Sequence, residues 1–201
     1  MHYISHLSKD RKLKKIAAIA APIRLQKRKK IYLYLCRSIM SQQLSTKVAD
    51  VIHKRFIQLY GGRDPLPQEI LDTPFDTLRA IGLSNAKTNY VRHVAEFELL
   101  HGMDAKKLAK MTDEEVINYL TQIKGVGRWT VEMLLMFALG REDVLALDDL
   151  GIQQAMAKLY RLDASDRKKL KEEMQRIGTK WSPYRTYACR ILWDWKDQKA
   201  M

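Results

Sequence analysis

The amino-acid sequence predicts an all-α protein, and three observations lead to that prediction. No segment alternates apolar and polar residues long enough to form a half-buried strand. Glycine and proline fall at spaced boundaries rather than in clusters. Between these boundaries the apolar residues recur every three or four positions, which is the period of an amphipathic helix. At 201 residues the chain is long enough for one globular unit made of two lobes.

The first half of the chain contains two clear helical patterns. Apolar residues recur at helical spacing from Gln43 to Tyr60, and the following Gly61-Gly62 pair is predicted to end that helix. Ser84 has the side chain of an N-cap, so it predicts a helix that starts beside it and ends near Gly102.

The second half contains the strongest patterns. Thr112 and Glu115 form a capping box, and Gly125-Val126-Gly127 breaks the helix that it opens. The next helix, from Trp129 to Leu139, is apolar on every side and is predicted to be buried. Three more helices are predicted, at about 150–159, at about 165–177 and after Ser182, which is the predicted N-cap before Pro183.

The charge balance is strongly positive. There are 36 Lys and Arg against 23 Asp and Glu, and nine basic residues with no acidic one between Arg11 and Lys30. Such an excess favours a polyanion such as nucleic acid, the alternative being a basic surface that only aids solubility. No apolar run is long enough to cross a membrane, and the amino terminus has no secretory leader pattern. Two cysteines, Cys36 and Cys189, are too few for a metal cluster, so we expect a reducing compartment.

The glycine turn between the two apolar helices carries the first functional hypothesis. Gly125 and Gly127 permit a tight turn with positive φ and leave backbone N–H groups unshielded. With the start of the next helix, these groups form a site for an anion, and Lys124 and Arg128 beside them favour a phosphate. The alternative is an ordinary helical hairpin in which the glycines only make the turn.

Two aspartates carry the second hypothesis. Asp148 and Asp149 follow a strongly apolar segment and precede a helix, so Asp149 is a predicted N-cap. A carboxylate fixed at a helix start also offers a negative charge that can stabilise positive charge developing on a sugar ring. Both roles can belong to the same side chain.

Four segments together resemble the helix-hairpin-helix DNA glycosylase superfamily. They are LTQIKGVGRWTVEMLLMFALGREDVLALDDLGIQQA (120–155), RSIMSQQLSTKVA (37–49), GLSNAKTNYVRHVA (82–95) and WSPYRTYACRILW (181–193). The resemblance extends from about residue 30 to 195. It implies a two-lobed helical fold with a cleft between a lobe of about 30–133 and a lobe of about 1–29 plus 134–201.

The chain is most similar to the branch that includes DNA-3-methyladenine glycosylase II. That resemblance implies that Asp149 is catalytic, with Asp148 as the less favoured alternative, and that Trp129, Trp193 and Met133 line the base pocket. In the glycosylase/lyases of the superfamily a nucleophilic lysine stands at the position of Trp129 or a few residues before the hairpin, at 118–120. Neither position holds lysine here, so the enzyme is expected to be monofunctional. Trp181 and Tyr184 are expected to be structural.

The resemblance also implies a set of DNA contacts. The side chains expected to fill the gap left by a flipped base are Gln42, Gln43 and Leu44. The hairpin residues expected to contact DNA are Lys124, Gly125, Val126, Gly127, Arg128 and Thr130. A monovalent or divalent cation is expected at the backbone carbonyls of Thr121, Ile123 and Val126, and no iron–sulfur cluster is expected because the chain has only two cysteines.

The sequence therefore predicts a monomeric DNA-repair enzyme that acts on damaged double-stranded DNA, in the cytoplasm of a bacterium or the nucleus of a eukaryote. The expected reaction is hydrolysis of the N-glycosidic bond of alkylated purines, chiefly of the 3-methyladenine type. Two alternatives are a helix-hairpin-helix module that binds DNA without chemistry, and a glycosylase for another damaged base.

Overall fold

The computed structural model describes residues 2–198, whose regular secondary structure is entirely helical. This confirms the all-α prediction. Among the described residues, no helix combines the length and the apolar character that crossing a membrane requires. The helices in chain order are α1 (His2–Leu7), α2 (Arg11–Ala17), α3 (Ile31–Ser41), α4 (Thr46–Gln58), α5 (Pro67–Asp72), α6 (Phe75–Ala80), α7 (Asn85–His101), α8 (Ala105–Ala109), α9 (Asp113–Leu120), α10 (Arg128–Phe137), α11 (Leu150–Tyr160), α12 (Arg167–Gly178), a short 3-10 helix (Thr179–Trp181) and α13 (Arg185–Gln198).

The chain divides into two compact units. The central unit is Lys27–Leu134, and the terminal unit comprises the described residues of Met1–Gln26 and Leu135–Met201. The boundary between Leu134 and Leu135 falls inside α10.

In the central unit the long helix α7 packs against α3 and α5. The hydroxyl of Ser84 accepts a hydrogen bond from the backbone N–H of Lys87 at 3.3 Å, as an N-cap does. Gly102 ends the helix with a φ of +69°. Both predicted ends of α7 are therefore confirmed. Val91, Val94 and Ala95 on this helix are fully buried, so α7 supplies much of the unit's core.

The capping box that opens α9 is also confirmed. The Thr112 hydroxyl accepts from the Glu115 backbone N–H at 3.2 Å, and the Glu115 carboxylate accepts from the Thr112 backbone N–H at 2.7 Å. After the turn, α10 is buried from Thr130 onward through Met136, but Trp129 in its first turn is 43% exposed. The prediction of a helix buried on every side therefore holds except at its amino-terminal end.

In the terminal unit α13 packs against α2 and α11, and α12 packs against α11. The fully buried Trp181 donates its indole N–H to the Asp10 carboxylate at 3.2 Å, and the Tyr160 hydroxyl donates to the same oxygen at 2.6 Å. Burial raises the pKa of Asp10, but the hydrogen bond from Tyr160 and the other donors outweigh it and hold that pKa below its usual value. The structural role predicted for Trp181 is confirmed, and the Tyr184 ring packs edge-on against Tyr187.

The predicted start of the helix at Gln43 is wrong. Helix α4 begins at Thr46, and the Ser45 hydroxyl is its N-cap. Gln43 lies in the preceding turn with a φ of +58°, which no residue of a right-handed helix adopts. Val48 and Val51, two of the apolar residues that recur at helical spacing between Gln43 and Tyr60, are 45% and 44% exposed. The apolar residues at helical spacing in this segment therefore include some that lie on the protein surface rather than in the core.

The predicted cap of the last helix is also wrong. The Ser182–Pro183 bond is cis, and α13 begins at Arg185. The carboxylate that receives the helix's first backbone N–H comes from Asp143, which accepts from the Arg185 N–H at 3.3 Å. The same carboxylate accepts from the Ser182 hydroxyl at 2.7 Å and from the Arg185 guanidinium at 2.7 Å and 3.0 Å. A residue some forty positions away thus replaces the local cap.

Candidate functional site

The hairpin between α9 and α10 depends on Gly125. Its φ is +97°, and a Cβ at this position would lie within 2.7 Å of three carbon atoms of the Tyr90 side chain. Both the backbone conformation and the Tyr90 ring therefore exclude a side chain here. The prediction that Gly125 is required for its missing Cβ agrees with this geometry.

Gly127 differs from Gly125 in both respects. Its φ lies outside the positive range, and a Cβ would meet no atom within 4 Å. The expectation that both glycines adopt positive φ is wrong for Gly127. If this glycine is required, the requirement comes from a molecule that approaches it from outside.

The predicted DNA contacts of the hairpin divide into exposed and buried side chains. Lys124, Gly127 and Arg128 are exposed, whereas Val126 is 5% and Thr130 4% exposed. The side chain of Thr130 is thus directed into the protein, and the predicted contact of this residue with DNA stays a prediction. Only backbone groups of Val126 and Thr130 remain for that role.

The exposed Arg128 side chain is held by ion pairs within the protein. Its guanidinium donates two hydrogen bonds to the Glu114 carboxylate, at 2.9 Å and 2.8 Å, and one to Glu132 at 3.2 Å. These carboxylates, Glu114 first, raise the pKa of Arg128. The structure thus gives Arg128 a clear function in tying α9 to α10, and a phosphate would compete with Glu114 for it.

The predicted wedge segment, Gln42 to Leu44, lies in the turn after α3 and contacts the hairpin. The Gln42 amide donates to the Gly125 carbonyl at 3.4 Å. Lys87 of α7 donates to the carbonyls of Met40 and Gln42 at 3.0 Å and 2.6 Å, and burial lowers the pKa of this amine. Gln43 is exposed with a left-handed backbone, and the adjacent Leu44 side chain is 37% exposed.

The role of Lys87 is a feature that sequence reasoning missed. Its position in the first turn of α7 carries no signal, because the two carbonyls that it binds are more than forty positions away. By holding these carbonyls, Lys87 fixes the turn that presents Gln43 and Leu44.

The carbonyls proposed to hold a cation lie in the same hairpin. The Ile123 carbonyl accepts from the Val126 N–H at 3.0 Å, so it retains one lone pair for a cation. Among residues 2–198 no group of three or more His, Cys, Asp or Glu is placed to hold a metal ion. Any ion here would therefore depend on backbone oxygens such as those of Thr121, Ile123 and Val126, and this site stays a prediction.

Two of the predicted pocket residues belong to the central unit. Trp129 is 43% exposed, so it is not a core residue. Met133, one turn further along α10, is 9% exposed, and its backbone carbonyl accepts from the Tyr34 hydroxyl at 3.2 Å. Of this pair, Trp129 offers the aromatic face that stacking on a base requires.

Asp149 is the N-cap of α11, as predicted. Its Oδ1 accepts a hydrogen bond from the Ile152 backbone N–H at 2.8 Å, and its own backbone N–H donates to the Ala146 carbonyl at 3.3 Å. The residue is only 9% exposed. It therefore offers a carboxylate that is anchored to the backbone and largely shielded from solvent.

Asp148, one position earlier, lies in a different environment. Its side chain is 45% exposed and forms an ion pair with Lys171 of α12. An exposed carboxylate beside an ammonium group stabilises a developing cation poorly, because water and the lysine screen its charge. The geometry therefore favours Asp149 over Asp148 as the catalytic group.

Trp193 of α13 contacts Asp149 directly. Its indole Nε1–H donates to Asp149 Oδ1 at 2.8 Å, and its ring stacks on Phe137 at a centroid distance of 5.8 Å. A Cβ at Gly151 would lie 3.0 Å from that oxygen and 3.1 Å from the indole. Sequence reasoning missed Gly151, although a glycine in the first turn of a helix was the available signal.

A comparison with protein families decides the assignment. Residues 36–181, well over half of the chain, match a family described as HhH-GPD superfamily base excision DNA repair protein. The chain belongs to this superfamily. This HhH-GPD protein is also similar to DNA-3-methyladenine glycosylase 1 of Schizosaccharomyces pombe, with 38% identity over 91% of this chain and 80% of that protein.

Solved structures agree with the family assignment. The S. pombe 3-methyladenine DNA glycosylase in complex with abasic DNA has a TM-score of 0.83 at 36% identity, covering 96% of both chains. A DNA-3-methyladenine glycosidase of Bacillus halodurans has the same TM-score and identity, covering 97% of this chain and 88% of that one. The HhH-GPD fold implied by the hairpin and the aspartate is thereby confirmed.

Proposed function

We propose that this HhH-GPD protein is a monofunctional DNA glycosylase that excises alkylated purines of the 3-methyladenine type. The observation that carries the proposal is Asp149, a largely buried helix-capping carboxylate, which the resemblance to the superfamily assigns as the catalytic aspartate. The similarity to 3-methyladenine glycosylases over nearly the whole chain supports the substrate class.

Binding to the duplex is assigned to the hairpin and the adjacent turn. The open space at Gly127 lets a phosphate approach the first N–H groups of α10, where the helix dipole favours a negative charge. Lys124 is exposed beside this position. When a nucleotide leaves the stack, the exposed Gln43 and Leu44 fill the gap and slow its return. We propose damaged double-stranded DNA as the partner, bound by one copy of the protein in the cytoplasm or the nucleus.

The chemical step is the loss of the base from the sugar. The bond between C1′ and N9 breaks and its electron pair departs with the purine, which alkylation has already made positively charged. The sugar becomes an oxocarbenium-like cation, and the Asp149 carboxylate either stabilises that cation directly or orients the water that adds to C1′. Loss of a proton from this water completes hydrolysis and leaves an abasic site. The Trp129 face stacks on the cationic base through cation–π attraction.

The absence of strand cleavage follows from the residues around the hairpin. A lyase step needs an amine that forms a Schiff base with C1′. Trp129 occupies one position where lyases of the superfamily have lysine, and Asn118, Tyr119 and Leu120 occupy the other. Borohydride treatment during turnover should therefore trap no covalent protein–DNA adduct.

The experiment that tests the function is base release from alkylated duplex DNA under single-turnover conditions. Asp149→Asn should lower the rate by about 10²–10³-fold, because it removes one preorganised charge. Asn is also a good N-cap, so α11 should stay folded. Asp148→Asn is the matched control and should stay within a few-fold of the unaltered protein. Full activity of Asp149→Asn with loss in Asp148→Asn would move the assignment by one residue, and no base release by the unaltered protein would refute the function.

A further inference from the structure

Asp149 Oδ1 accepts two hydrogen bonds of different origin. The bond from the Ile152 N–H, at 2.8 Å, is the one that any N-cap aspartate receives. The bond from Trp193 Nε1, also 2.8 Å, comes from a residue 44 positions later in the chain and is not needed to cap the helix. Two donors on one oxygen fix the plane of the carboxylate far more tightly than one donor can.

The indole is itself held in place by packing. The Trp193 ring stacks on Phe137 with an interplanar angle of 28°. The guanidinium of Arg190 lies 5.6 Å from the centre of the Phe137 ring and donates to the Arg24 carbonyl at 3.1 Å. The direction of the Trp193 N–H is therefore set by contacts that do not involve Asp149.

Gly151 leaves the space in which this hydrogen bond forms. A Cβ there would stand 3.0 Å from Asp149 Oδ1 and 3.1 Å from both Cδ1 and Nε1 of Trp193, closer than ordinary carbon contacts. A glycine within a helix destabilises that helix relative to alanine. The destabilisation by Gly151 is explained if its empty space is needed for the side chains of Asp149 and Trp193 to form their hydrogen bond.

We propose that Trp193 is a positioning residue, whose indole N–H orients the Asp149 carboxylate for the developing cation, and that Gly151 keeps the space for this bond open. The inference rests on the proposed function. It differs from a role in lining the base pocket, because a lining residue needs only its ring face whereas a positioning residue needs its N–H. Preorganised orientation acts on the rate of the chemical step, not on the affinity for DNA.

The decisive variant removes the N–H and keeps the ring. Replacement of Trp193 by β-(3-benzothienyl)alanine puts sulfur in place of the N–H on a ring of nearly the same shape. Losing a hydrogen bond to a charged group costs about 1.5–3 kcal/mol, so the single-turnover rate should fall by about 10–100-fold. The dissociation constant for an abasic-analogue duplex should stay unchanged. Wild-type rates for the sulfur analogue would overturn the proposal, and Trp193→Phe should lose at least as much.

Two further variants separate positioning from folding. Trp195→Phe removes a tryptophan from the same helix two residues later and should keep the unaltered rate. Gly151→Ala should stay folded, because the helix preference of alanine offsets part of the strain from the close contacts of its Cβ, yet its rate should fall about tenfold or more as the carboxylate or the indole is displaced. An unchanged rate for Gly151→Ala would refute the steric part of the proposal.

A spectroscopic measurement tests the bond without relying on catalysis. In protein labelled with ¹⁵N-tryptophan, the indole signal assigned through Trp193→Phe should shift upfield in Asp149→Ala and in Gly151→Ala, because the charged acceptor is lost or moved. An unmoved signal would refute the hydrogen bond itself. No base release by the unaltered protein, with the signal shifting as expected, would refute the proposed function and the positioning role while leaving the bond established.

Discussion

Gly125 and Gly127, two positions apart, should respond oppositely to alanine. At Gly125 an Ala must adopt a φ near +97° and overlap the Tyr90 ring. The left-handed conformation costs about 1–2 kcal/mol for a residue with a Cβ, and overpacking typically costs about 1–3 kcal/mol. Gly125→Ala should therefore lower the free energy of unfolding by about 2–5 kcal/mol, which corresponds to a Tm lower by about 4–20 °C for a chain of this size.

At Gly127 neither cost applies. No atom stands within 4 Å of the added Cβ, and the backbone is not in the positive-φ region. Gly127→Ala should leave stability unchanged or raise it by about 0.4–1 kcal/mol, because alanine restricts the unfolded chain. The added methyl group nevertheless projects where the proposed phosphate approaches. Affinity for lesion-containing and undamaged duplexes should fall alike, by about 10–100-fold if one charge-assisted hydrogen bond is lost.

Calorimetric unfolding and binding titrations at fixed salt distinguish the two effects. If Gly127→Ala unfolds as early as Gly125→Ala, the geometric argument is wrong. If it is stable and binds both duplexes as the unaltered protein does, the hairpin is only a turn and the phosphate site lies elsewhere.

Three other perturbations address the pocket, the wedge and the cap of α13. Trp129→Ala should reduce excision much more than binding of an undamaged duplex, because stacking acts only on the flipped base; equal losses in the two assays would argue against a pocket role. Gln43→Gly should raise the free energy of unfolding by about 1 kcal/mol, because glycine adopts the left-handed backbone conformation without strain. The same variant should bind an abasic-analogue duplex more weakly, and unchanged binding would show that Gln43 does not fill the gap left by the flipped base. Burial raises the pKa of Asp143, but hydrogen bonds from Arg185 and Ser182 hold this pKa below its usual value of 3.8. The ionised Asp143 carboxylate therefore stabilises the fold above about pH 4, and this stabilisation is lost as the pH falls through the lowered pKa. In denaturant titrations at pH 7, Asp143→Asn should therefore lower the free energy of unfolding by about 1.5–3 kcal/mol relative to the unaltered protein, and this difference should shrink below pH 4. A difference that does not change with pH would contradict the role given to Asp143.

The features predicted correctly from the sequence are local ones. Ser84, Thr112 with Glu115, and Asp149 each satisfy backbone N–H groups within three residues of themselves, so their roles are readable from spacing alone. The helical period also indicated α4, α7 and α9 to α13 in their correct order, but it did not indicate α3, which the structure has at Ile31–Ser41. Local hydrogen bonding therefore accounts for most of the fold that could be predicted.

The errors and omissions involve partners distant in sequence. Ser182 has the side chain of a cap, but Asp143 takes that role from another segment. Gln43 fits the helical period, but its turn is held by Lys87 from α7. The bond from Trp193 to Asp149 joins two helices. Gly125 differs from Gly127 partly because the Tyr90 ring of another helix stands beside it. None of these relations is encoded in spacing along the chain.

The double use proposed for the Asp149 carboxylate, as helix cap and as catalytic charge, has an evolutionary consequence. A lineage that kept DNA binding but ceased to excise bases would lose selection for the charge at this position, while selection for a helix cap worth about 1 kcal/mol would persist. Drift at position 149 should then be confined largely to Asn, Ser and Thr, which cap a helix without a negative charge. A homologue with one of these residues at the aligned position would have lost catalysis but kept the helix cap. An apolar residue there would indicate that the stabilising cap has been lost as well.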